Sequence, residues 1–264
     1  MPKMKGIARN RSLSIGLDVD KEKSQVCVLD VETGRLLFDG TITHDPEAWE
    51  RFLSRVPGCG LWACYEAGGN GYGLCRWLLA HGVDCHVIAP SQVPKPPQSR
   101  QQKTDERDAL LLARLYWTPP RSWVRVPTEQ EEADRQLIRT RDQVMNDRVR
   151  VMSRIKSMLL AYGLKLGDGV KLDWSKAFRH WLATCACLPP VRTALDVLLG
   201  ELKALEDQLT VLKRAIRAMN DGEVHRDRVK RLRQIPGVGP LTANAFVTEL
   251  FRPETGHHHV GHAR

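Results

Sequence analysis

The chain has 264 residues, 42% hydrophobic and 27% charged, enough for one large domain or two smaller ones at roughly 100–200 residues each. Forty Lys and Arg face thirty-one Asp and Glu, so the net charge is +9 and the pI about 9.3, a balance that favours a polyanionic partner, most often nucleic acid. No apolar run reaches the ~18 residues of a membrane span and the basic N-terminus leads into a strand pattern rather than a signal segment, while the cysteine usage argues for a reduced, cytoplasmic setting.

In chain order, "LSIGLDVD" (13–20) is a short apolar run that reads as a buried strand. "SQVCVLDVETGRLLFDGTIT" (24–43) gives two more strands around the turn "ETG". "DPEAWERFLSRV" (45–56) has an Asp cap, Pro at the first helical position and helical apolar spacing. "LWACYEA" (61–67) is a strand, "GYGLCRWLLAHG" (71–82) a helix ending at Gly82, and "VDCHVIAP" (83–90) a strand stopped by Pro90. A proline-bearing basic loop follows. Then "TDERDALLLARLYW" (104–117) reads as a helix, with Thr104 as its cap and Asp residues in its first turn.

Seven cysteines are an odd number and no C-x-x-C occurs, so the zinc-ribbon pattern is missing. Several sit inside apolar runs, where a reduced cysteine acts as a small hydrophobe.

Four acids stand out. Asp18 lies near the end of the first strand and Glu66 at the end of the fourth, where α/β sheets place their ligands. Asp105 and Asp108, three apart, project from one side of a helix. Singly, each has an ordinary explanation as a turn, cap or helix-start residue. Together they would form a hard-oxygen set that repels itself without a cation. Mg²⁺ prefers such donors, and two ions can serve phosphoryl transfer.

Strand–helix alternation by itself supports an α/β domain; the order of elements resembles the RNase H-like arrangement. "IGLDVDK", "YEAGGNGYGLCRWLLAHGVDCHVIAP" and "KTDERDALLLARL" resemble the N-terminal, RuvC-like domain of DEDD insertion-sequence transposases, the family that includes pilin-gene inverting recombinases and bridge-RNA-guided recombinases. The resemblance runs from about residue 13 to about 250. It implies that Asp18, Glu66, Asp105 and Asp108 are a catalytic tetrad holding two Mg²⁺ ions. It further implies that the partners are insertion-sequence ends and target DNA, with a guide RNA in some members.

The second half is helical. "EEADRQLIRTRDQVMNDRVRVMSRIKSMLLAYGL" (131–164) reads as one long basic helix. Arg139, Arg141, Arg148, Arg150, Arg154 and Lys156 are candidates for contacts to a nucleic-acid backbone, with Lys103 and Arg107 beside the acids. The bland alternative is a solvated face. In 195–216, Leu195, Leu198, Leu202, Leu205, Leu209, Leu212 and Ile216 alternate by three and four, a coiled-coil seam. Such a seam packs on the 131–164 helix or between two chains, and the resemblance implies a homo-oligomer. "HRDRVKRLRQIPGVGPLTANAFVTEL" (225–250) resembles a helix–hairpin–helix, with Arg231, Arg233, Gly237 and Gly239 as phosphate contacts.

The expected architecture is therefore an RNase H-like catalytic domain over 1–125, a helical, partly coiled-coil region over 126–224 and a partial helical C-terminal domain over 225–264. The family continues with a stretch carrying a nucleophilic serine, whereas no serine follows Ser175 here and the chain reads "FRPETGHHHVGHAR" at its end. A truncated or frameshifted end is expected, with four tail histidines that match no standard zinc spacing. The expected function is Mg²⁺-dependent strand cleavage and exchange by a transposase, incomplete in this chain. The alternatives are a RuvC-type metal-dependent nuclease and an inert nucleic-acid-binding remnant. A sugar kinase, which also opens on a "GLDVG"-like strand, lacks its second phosphate loop here.

Overall fold

The computed structural model describes residues 12–56, 60–94 and 105–250. The chain divides into two compact units, one up to Pro127 and one from Thr128.

The first unit is an α/β fold. Its strands are β1 (Ser12–Val19), β2 (Lys23–Asp30), β3 (Leu36–Thr43), β4 (Gly60–Glu66) and β5 (Asp84–Ile88). Its helices are α1 (Pro46–Leu53), α2 (Gly73–Ala80) and α3 (Asp105–Arg114). The sheet order is β3-β2-β1-β4-β5. β1, β2 and β3 form an antiparallel meander, while β1, β4 and β5 run parallel. The β2–β3 turn closes because the Asp30 carboxylate accepts from the backbone N–H of Glu32 and of Thr33, each at 3.0 Å, and Gly34 takes φ 67°. α1 starts where expected: Asp45 accepts from the Ala48 N–H at 2.7 Å and Pro46 supplies the preset φ.

Each face of the sheet has its own cover. Leu17 and Tyr65, partners across β1 and β4, join Trp49, Phe52 and Leu78 in the core beneath α1 and α2. On the other face α3 lies directly on β1. The Ser14 hydroxyl donates to the Ala113 carbonyl at 2.5 Å. At Gly16 a Cβ would stand 1.9 Å from the Ala109 carbonyl oxygen and 2.3 Å from the Ala113 nitrogen, so only glycine permits this approach. Cys27, Ala109 and Ala113 are buried together at this contact, and burial pushes the Cys27 thiol up to about 12. Val87 pairs with Val124 beside the β5 edge.

The second unit is helical: α4 (Glu129–Ala161), α5 (Lys176–Thr184), α6 (Pro189–Asp221), α7 (Arg226–Leu232) and α8 (Pro240–Ala245), followed by a wide helical turn over Phe246–Leu250. α4 opens with a capping box. The Thr128 hydroxyl accepts from the Glu131 N–H, and the Glu131 carboxylate accepts from the Thr128 N–H. The helix therefore starts slightly earlier than its apolar pattern predicts. Helix α5 was not anticipated, although Ser175 caps it through the Phe178 N–H. The heptad residues Leu195 and Leu202 of α6 pack with Val151, Ile155 and Leu159 of α4 and with Phe178 and Leu182 of α5, in the same chain. This burial requires no second copy.

Ion pairs set the antiparallel register of α4 and α6: Arg148–Glu206 at 3.2 Å and Arg154–Glu201 at 2.7 Å. Arg179 of α5 grips Glu206 with two hydrogen bonds, at 2.6 and 2.8 Å. These bonds, with Arg148 second, hold the Glu206 carboxyl below the usual glutamate range. A depressed folded pKa stabilises the fold above the ordinary glutamate value of about 4.3, and that contribution is lost as pH falls through the folded value. Thermal stability of the α4–α5–α6 bundle should thus fall below about pH 4.3, with Glu206→Gln reducing this acid dependence. An identical pH profile in Glu206→Gln would exclude the Arg179–Glu206 contact as a source of stability.

A polar knot joins α7 to α4. His225 Nε2 and Asp134 Oδ2 lie 2.6 Å apart with both side chains buried, and the Gln130 amide donates to Asp134 Oδ1 at 2.8 Å. Among the described residues, His225 Nδ1, Asn220 Oδ1 and both amide atoms of Asn244 are buried without a hydrogen-bond partner. Among the described residues no helix is long and apolar enough to cross a membrane.

Candidate active site

The backbone alone brings the four acids toward one end of the sheet. Leu17 and Tyr65 are register partners on adjacent parallel strands, and Asp18 and Glu66 are the next residues along. Because strand side chains alternate, both acids face the α3 side, about 4.8 Å apart in strand spacing. Asp18 is half-buried and Glu66 exposed. α3 runs antiparallel to β1: Ser14 meets Ala113, and Gly16 meets both Ala113 and Ala109 one turn earlier in the helix. Continuing along β1 to Asp18 therefore leads to the first turn of α3, where Asp105 and Asp108 stand. Asp108 is half-buried; for Asp105 only the backbone position is described, and Lys103 and Thr104 lie outside the described residues. Arg107, in the same turn, is exposed.

Among the described residues, no three His, Cys, Asp or Glu side chains already gather into a group that could hold a metal. The donor chemistry nevertheless suits a hard cation. Asp18, Glu66 and Asp108 offer carboxylate oxygen only.

Sequence reading missed the neighbouring wall. Asp18, Val19, Asp20, Lys23, Gln25 and Thr41 line an open pocket of about 240 Å³. Gln25 lies opposite Asp18 across β1–β2, and Thr41 opposite Gln25 across β2–β3. The Gln25 amide donates to Asp39 at 2.6 Å and accepts from the Thr41 hydroxyl at 3.0 Å, which fixes its orientation. The signal was present as polar alternation in "KSQVCV" and "DGTIT".

The arginines of α4 are mostly engaged within the chain. Arg139 makes a two-pronged contact with Glu249 at 2.7 and 2.8 Å, and its hydrogen bonds hold the Glu249 carboxyl below the usual range. Arg141 pairs with Asp142, Arg150 with Asp147, and Arg148 and Arg154 with α6. Lys156 is half-buried, while Arg231 and Arg233 are exposed on and just after α7. Gly237 takes φ 85° in the turn to α8, and Gly239 caps that helix.

The transposase family model of the DEDD, IS110 type matches residues 15–163. The transposase for insertion sequence element IS1533 of Leptospira borgpetersenii is 30% identical over 254 residues, covering 92% of this chain and 71% of that protein. The transposase for IS1111A of Coxiella burnetii is 25% identical over 248 residues, covering 89% of this chain and 63% of that protein. Two further relatives are spanned for only 46% and 51% of their length. A family match over more than half of the chain, joined to a relative of this identity and coverage, makes the chain a member of the DEDD transposase family of insertion sequences.

Proposed function

We propose that the first unit is an RNase H-like catalytic domain that uses Asp18, Glu66, Asp105 and Asp108 for metal-dependent cleavage of DNA. The observation that carries this is the placement of Asp18 and Glu66 side by side at two parallel strand ends, with the first turn of α3 led toward them. Magnesium bound there would neutralise charge on the phosphate and favour attack by an oxygen nucleophile. Asp18, set in β1, would hold its ligand atom rigidly, while exposed Glu66 at the end of β4 can adjust to the substrate. Whole-protein strand exchange on insertion-sequence ends, assembly into a homo-oligomer and use of a guide RNA belong to the same proposal by family. The arginines of α4, with Arg231 and Arg233, would serve as backbone contacts. Those already bound to Glu201, Glu206 or Glu249 must exchange a carboxylate for a phosphate to do so.

The test is nicking of supercoiled plasmid in Mg²⁺ or Mn²⁺. Asp18→Asn should slow nicking by roughly 100-fold or more, the effect of several kcal/mol of lost charge stabilisation. Equal rates for the variant and the unaltered chain, or nicking that survives EDTA, would refute the reading. A RuvC-type metal-dependent nuclease is the second reading, since the same carboxylate placement at the ends of β1 and β4 would serve it. It predicts nicks without protein attached to the DNA end.

A further inference from the structure

We infer that Lys23 is a positioning residue that grips a phosphate of the nucleic-acid backbone next to the one held at the acids. Together with Gln25 and Thr41 it forms the entry side of the site. The inference rests on the proposed metal-dependent reaction at Asp18 and extends it to the strand that must lie there.

Lys23, Gln25 and Cys27 alternate onto one face of β2, and Cys27 is the residue covered by α3. Lys23 and Gln25 therefore continue that face beyond the Ala109 contact, Gln25 half-buried and Lys23 exposed. β3 repeats the pattern. Phe38 and Ile42 turn into the core, while Asp39, Thr41 and Thr43 are exposed on the opposite face. The result is a polar shelf that leads from the β3 edge to Asp18. Its one cation is Lys23, exposed and without an ion pair or side-chain hydrogen bond among the described residues.

Charge explains why a lysine matters at that place. Asp18 and Asp20 line the same pocket and would repel a polyanion. Lys23 stands two residues, roughly 7 Å, along β2 from the Asp18–Gln25 register pair. Its flexible stem can thus meet the adjacent phosphate while the acids face the reacting one. The fixed Gln25 amide and the Thr41 hydroxyl offer neutral hydrogen-bonding groups between them. An ordinary solvated hairpin would need neither the pinned amide nor the pocket.

The control is built into the same turn: Lys21 is exposed but does not line the pocket. Bind the full chain to a fluorescein-labelled random-sequence duplex by anisotropy without divalent metal, over a range of salt. Lys23→Gln should weaken binding by roughly ten-fold, the worth of one charge-assisted contact, and lower the salt slope by about 1. Lys23→Arg should restore both, and Lys21→Gln should resemble the unaltered chain. The plasmid nicking rate should fall with Lys23→Gln at subsaturating DNA and recover when DNA is raised, as expected for positioning. Equal, small effects of Lys23→Gln and Lys21→Gln would overturn the inference. That result would leave the catalytic reading standing if Asp18→Asn still abolishes nicking. Full nicking by Asp18→Asn would sink the catalytic reading and, with it, this one.

Discussion

Gly16→Ala should destabilise the first unit by about 3 kcal/mol or more, at the upper end of what overpacking costs. The added methyl would meet the Ala109 carbonyl oxygen at 1.9 Å and the Ala113 nitrogen at 2.3 Å. Both are backbone atoms, so no rotamer change relieves the clash, and α3 must lift from β1. Because α3 begins with Asp105 and carries Asp108, lifting it draws two of the four acids away from Asp18 and Glu66. Nicking should therefore fall further than the remaining folded fraction explains. Denaturant unfolding gives the first quantity, and the nicking rate per folded molecule gives the second. The same exchange at Gly200 in α6 has nothing within 4 Å of the new methyl. There it should stabilise by roughly 0.5–1 kcal/mol through helix propensity. A Gly16→Ala protein as stable as the parent would mean that α3 does not lie where the structure puts it.

The second large effect is expected at Asp134. Asp134→Ala removes the partner of His225 Nε2 in a place where His225 Nδ1 already has none among the described residues. Leaving a buried imidazole unsatisfied costs about 1–3 kcal/mol if it is neutral and about 3–5 if it is charged. Asp134→Asn separates the cases. The amide oxygen can still accept from a neutral imidazole, but it cannot balance an imidazolium. Hydrogen exchange should quicken first in α7 and in the N-terminal turns of α4, which this pair ties together. Unchanged exchange there in Asp134→Ala would show that the contact holds nothing.

Most of the architecture was legible because local chemistry and packing agree. Asp45–Pro46 announces α1, and the run 24–43 breaks at a turn whose Asp30 satisfies the backbone. What the sequence could not reveal was partnership across distance. Arg148 and Arg154 look like phosphate ligands along α4, yet their carboxylates lie 58 and 47 residues away on α6. The leucine heptads were plain, and packing on the 131–164 helix was one of the two readings they allowed, but not that α5 would join it. The glycine of "LSIGLDVD" likewise gave no hint of what presses on it. Helix α5 is a different case: Ser175 and the spacing of Phe178, Trp181 and Leu182 carried its signal, and it went unread.

The late position of α6 has a consequence during synthesis. The first unit closes its sheet with residues no later than Ile88. The apolar stripe of α4, in contrast, waits for Leu195 and Leu202. The 52 residues from Val151 to Leu202 take roughly 3–10 s to make at ~5–20 residues per second, whereas a mixed α/β domain folds in milliseconds to seconds. Val151, Ile155 and Leu159 thus emerge before the α5 and α6 residues that cover them are made. For those seconds the nascent helix is a target for chaperones. Slowing translation between α4 and α6 should lower the yield of folded protein more than the same delay placed before Thr128.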